Sequence, residues 1–173
     1  MWQLQYNTRA GGVQAVKDHI RDYATAAFRF WAQEGGTANV SGLDRFKRRI
    51  ICEVEANTAK CLDTIRSFEM ASPVEDWLIA QEKAYKQYSA EIADLQAVEE
   101  VLRISQYHHD GKMMWQALEI VYFADAMAPM KKGDVEMRVH RAELMIPASR
   151  RTIYRLLRKA REIFAEDRGL RKS

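Results

Sequence analysis

The stretch "PASRRTIYRLLRKAR", Pro147 to Arg161, carries six cations and no acid. Ser149 is a favoured N-cap residue, so the spacing predicts a helix starting at Arg150. Along it the apolar residues Ile153, Leu157, Ala160 and Phe164 recur at steps of four, three and four, which marks one buried face. At about 100° per residue, Arg151, Arg155 and Arg158 fall opposite Ile153, while Arg150, Tyr154 and Arg161 lie on the flanks. A merely solvated helix usually mixes acids among its bases, and from Ser149 to Arg161 there is no acid.

Immediately upstream, Asp134 is the expected cap of "VEMRVHRAELM", with Val135, Val139, Ala142 and Met145 as its inner face, and "IPAS" is a short break. A short helix, a turn and a second helix with an apolar back and a cationic front is the layout of a helix-turn-helix, whose second helix enters the major groove. Arginine suits that position because its planar fork binds guanine O6 and N7 together, and neighbouring cations meet phosphates. The candidate DNA-binding residues are therefore Ser149, Arg150, Arg151, Thr152, Tyr154, Arg155, Arg158 and Arg161. Arg151 and Arg155, near the N-terminal half, are the expected base readers.

The segment Ser149 to Arg161 resembles the Ser-x-x-Thr-Val-x-x-x-Leu-x-Arg-Ala-Arg pattern of region 4 of sigma-70-type factors. It is more similar still to phage transcriptional regulators of the RinA and ArpU kind. Ser149, Thr152, Ile153, Leu157, Lys159, Ala160 and Arg161 carry the match, with Ile and Lys in place of the commoner Val and Arg. The link "AELMIPAS" is one or two residues longer than theirs, with Pro147 where glycine is usual. The resemblance covers about the last 60 residues. It implies a compact helical DNA-binding domain with Met113 to Met127 packed beneath the motif, and RNA polymerase as a partner of such regulators.

Outward from this segment the charge changes sign. Residues 149–173 carry nine Lys or Arg against three acids, a net +6, whereas the remaining residues sum to −3 within a chain total of +3. Such asymmetry points the basic part toward a polyanion. With three prolines, eight glycines and 47% hydrophobic residues in 173, the composition favours helix and provides for a core.

The rest reads as an all-α chain: an N-terminal helical region of three helices, then the C-terminal helix-turn-helix domain, with the boundary between residues 110 and 111. The first helix runs from Gly12 to about Trp31, and the second is capped at Ser41 and runs to about Phe68. "SPVE" has Ser72 as cap, Pro73 in the first turn and Glu75 three after the cap, which opens a third helix to about Tyr107. Its seam, including Tyr88, Leu95 and Leu102, suits either a long arm that forms a homodimer or a helix inside a bundle. Asp110-Gly111 is a turn pair, and "MMWQALEIVYFADAM" is an apolar helix.

Other chemistry finds little footing. Cys52 and Cys61, about 13.5 Å apart along one helix, are expected as reduced core residues rather than a disulfide. His108, His109 and Asp110 diverge at a helix end, so no metal is expected there. No catalytic constellation or phosphate loop is recognisable, and neither an enzyme nor a cofactor is expected. No run of about 18 apolar residues occurs and "MWQLQYNTRAGG" lacks the order of a secretory signal, so the expectation is a cytoplasmic protein without a membrane partner. The preferred reading is a prophage-encoded, sequence-specific regulator that binds double-stranded DNA. The alternatives are a phage DNA-packaging component of the small terminase kind, which would form a ring, and an adaptor whose basic helix meets an acidic protein.

Overall fold

Of the two placements open to the seam of the third helix, arm or bundle, the structure shows the bundle. The computed structural model describes residues 19–64 and 73–170 as seven α-helices and a π-helical turn. They are α1 (His19–Gln33), α2 (Gly42–Thr64), α3 (Pro73–Gln87), α4 (Ser89–Gln106), α5 (Gly111–Leu118) with the π turn Glu119–Phe123, α6 (Asp134–Met145) and α7 (Arg150–Asp167). Among the described residues four helices, not three, precede residue 111, because the expected third helix divides at Tyr88 (φ −98°, ψ 19°). The bend keeps its ladder: Tyr88 N–H donates to the Ala84 carbonyl at 3.0 Å, and its own carbonyl accepts from Ile92 N–H at 2.9 Å. The Tyr88 ring meets the edge of Phe46 at 5.7 Å, so α4 turns inward.

Leu95, Ala97, Val98, Val101 and Leu102 are then buried among α1, α2, α3, α5 and α7. The same cluster holds Phe28 of α1, Tyr122 of the π turn and Phe164 of α7. Phe28 stacks on Tyr122 at 5.7 Å and tilts against Phe164 at 5.8 Å. Burying side chains of this size is worth about 1.5–3 kcal/mol each. The core thus runs across the boundary expected between residues 110 and 111. Around its edge, Asp94 of α4 accepts from Tyr23 Oη at 2.7 Å and from Arg168 Nε at 2.7 Å, which ties α1, α4 and the end of α7 together.

The apolar stretch Met113 to Met127 is helical only as far as Phe123, after which Ala124 is extended. Ala124 N–H donates to the Glu119 carbonyl at 2.8 Å, the wider π ring. Two cations meet the carbonyls at this helix end, where the dipole favours positive charge. Arg29, buried in α1, donates to the carbonyls of Asp125, Ala126 and Ala128, and Arg138 of α6 donates to those of Val121 and Ala124. Burial pushes the Arg29 guanidinium below its ordinary pKa.

Several local expectations change. Gly133 (φ 94°), not Asp134, precedes α6 as its cap; Asp134 is the first helical residue and its carboxylate accepts from Lys131 N–H at 2.7 Å. Met145 is exposed, because α6 ends with Ile146 as the buried residue. Cys52 is exposed on α2 rather than in the core. Ser41 does cap α2, its hydroxyl oxygen accepting from Asp44 N–H at 2.9 Å. The start at Gly12, the Ser72 cap and the side chain of Cys61 lie outside the described residues.

Candidate nucleic-acid interface

α7 begins where the sequence places it. Ser149 is extended (φ −67°, ψ 157°) and its hydroxyl oxygen accepts from Thr152 N–H at 3.3 Å, with Thr152 Oγ1 at 3.0 Å. A second acceptor comes from the preceding helix. Glu143 of α6 reaches over the link 146–149 to take the backbone N–H of Arg150 at 3.2 Å and its guanidinium at 3.1 and 3.2 Å. Those bonds, the backbone one foremost, hold the Glu143 carboxyl below the usual carboxylate range. Two of the donors left free at a helix start are thereby satisfied. The link itself is anchored by Ile146, which is buried.

The back of α7 is closed. Ile153, Leu156, Leu157, Ala160, Phe164 and Ala165 are buried, and the helix packs on α1, α4, α5 and α6. The front is open: Arg150, Arg151, Tyr154, Arg155 and Arg158 are exposed, and Thr152 is half-buried. Arg151 and Arg158 have no side-chain partner among the described residues. Arg155 Nη2 pairs with Asp110 at 3.3 Å, and Lys159 Nζ lies 3.2 Å from His108 Nδ1. Exposed pairs of this kind contribute about 0–1 kcal/mol, so a phosphate or a base edge can take the place of the acid.

Arg161 departs from the group. Its Nη1 donates to Tyr122 Oη at 2.6 Å, part-buried, which fastens α7 to the π turn rather than offering a charge to solvent. Three residues the sequence left aside belong to the site. Asp110 and His108, read as a solvated helix end, lie against the cationic face through Arg155 and Lys159. Glu143 acts across the link. For Asp110 and His108 no local signal exists, since their partners are 45 and 51 residues away. An acid in the last turn of the first helix, facing a helix start, is the signal that marks Glu143.

Among the described residues no group of three or more His, Cys, Asp or Glu is gathered to hold a metal ion. No helix among them is long and apolar enough to cross a membrane. No family model, curated protein or solved structure matches the chain.

Proposed function

We propose that this chain is a sequence-specific regulator of transcription that binds double-stranded DNA through a helix-turn-helix of α6, the link 146–149 and α7. The observation that carries the reading is the front of α7: Arg151 and Arg158 exposed with no side-chain partner among the described residues, Tyr154 between them, Arg150 held by Glu143 and His140, and Arg155 by Asp110. A helix of about 10–12 Å diameter with such a face fits the major groove. Arg151 and Arg155 in the N-terminal half would approach base edges, and Arg158 with the basic C-terminus would meet phosphates. The resemblance of Ser149 to Arg161 to the RinA and ArpU regulators adds a prophage origin, action in the cytoplasm and RNA polymerase as a second partner.

Selection of bound sites from random duplexes tests this. The expected result is an enriched motif whose complex weakens steeply with salt, as counterion release requires. Salt-dependent binding without any enriched motif would overturn sequence reading, and absence of duplex binding at low salt would overturn the whole proposal.

A further inference from the structure

A cleft of about 540 Å³ opens between the α1–α2 loop, the end of α4 and the start of α5. Its walls are rigid for identifiable reasons. Trp31 and Trp115 meet edge to face at 6.1 Å. The α1–α2 loop closes on Trp31 so tightly that a Cβ at Gly36 would fall 2.4 Å from the Trp31 ring and one at Gly42 2.6 Å from its carbonyl oxygen. At the other end a Cβ on Gly111 would fall 1.6 Å from the Ser105 carbonyl oxygen, so the α4–α5 turn is sealed against α4. Thr37 and Val40 exchange backbone hydrogen bonds at 2.9 and 3.2 Å, which fixes the lip. Pre-formed concave sites of this size, mostly apolar with a few placed polar groups, are where small ligands bind.

The polar groups are unevenly satisfied. Glu99 lines the cleft, and a single oxygen, Oε1, accepts from Trp31 Nε1 at 3.2 Å, Ser41 Oγ at 2.5 Å and Leu43 N–H at 3.2 Å. Oε2 accepts from none of the described residues. Since no buried side-chain polar atom among them lacks a partner, Oε2 is open to solvent. Lys112, also on the lining, is exposed with no partner among the described residues, whereas Arg103 is taken by Glu100 at 2.5 Å. An acceptor held in place, an ammonium without a partner among the described residues and the half-buried Trp115 ring define complementary chemistry.

We infer that this cleft binds a small aromatic anion that also carries an N–H donor. The ring lies against Trp115, the N–H donates to Glu99 Oε2, and the anionic group meets Lys112 Nζ. Both polar contacts are charge-assisted, the stronger class of hydrogen bond. No residue of α7 lines the cleft, so its test needs no DNA.

Two probes have the required chemistry, indole-3-carboxylate and 8-anilinonaphthalene-1-sulfonate, each titrated calorimetrically into the full chain. Saturable one-to-one binding is expected. Lys112→Glu and Glu99→Gln should each weaken it by about tenfold or more, as loss of one charge-assisted bond implies. Lys112 is at the surface, so its variant keeps the fold even if Glu99→Gln loosens Ser41 and Trp31, and thermal melting of both separates the two effects. Failure of both probes to saturate, or equal affinity in a folded Lys112→Glu variant, would overturn the site.

Discussion

α4 and α7 are both 18 residues long and both turn an apolar stripe into one core, yet their polar faces have opposite fates. α4 packs against five other helices, and two of its acids tie the fold together: Asp94 joins Tyr23 to Arg168, and Glu99 gathers Trp31, Ser41 and the start of α2. α7 is covered on its back alone. Its front cations either have no partner among the described residues or have one that water can replace. Two apolar stripes in one core therefore say different things. What distinguishes a helix kept for the core from one free to bind a partner is whether its charges already have internal partners.

The largest effects test the shared core. Ile153→Asp in α7 and Leu95→Asp in α4 each place a charge at a fully buried position, and each should abolish the cooperative melt followed by circular dichroism, at a cost of several kcal/mol. A Leu95→Asp variant that melts like the parent would make α4 the independent arm again. By the same logic the fragment 111–173, stripped of Phe28, Leu95 and Val98, should lack a cooperative transition.

Next come the two classes of arginine on α7. Arg151→Ala or Arg155→Ala should lose about 1–3 kcal/mol on a preferred duplex and far less on random DNA, measured by fluorescence anisotropy. Arg161→Ala, which removes the bond to Tyr122, should lower the melting temperature and leave sequence preference unchanged. Equal losses on both duplexes for Arg151→Ala and Arg155→Ala would reduce the front of α7 to an electrostatic clamp. A smaller change of opposite sign is expected for Asp110→Asn. Releasing Arg155 from an exposed pair worth about 0–1 kcal/mol should tighten random-duplex binding by up to about fivefold.

The smallest effect concerns pH. Glu143 has a folded-state pKa below its ordinary 4.5, so its contribution is complete above that value and is lost as pH falls through the lower folded value. Melting temperatures of the parent and Glu143→Gln should therefore differ by a constant amount from pH 8 to about 5.5 and converge only under stronger acid. A difference that grows between pH 8 and 6 would show that Glu143 is not the titrating group.

The amino-acid sequence by itself determined where α2 and α7 start and which face of α7 is buried. Ser41 and Ser149 stand at helix starts as read, the back of α7 is the one its spacing marks, and Arg151, Arg155 and Arg158 share the exposed side. These are local properties, set by residues three and four apart and by a side chain that can reach its own helix's first amides. Only the tertiary structure decided that Tyr88 bends the long helix so that Leu95 is covered, that Arg29 and Arg138 meet the carbonyls beyond the π turn, and that Asp110 holds Arg155. The Arg29 bonds span 96 to 99 residues and the Asp110 pair 45, and no periodicity within a helix encodes which distant segment will supply the other half of a contact. A stripe states that a face must be covered; the cover is chosen by the packing of the whole chain.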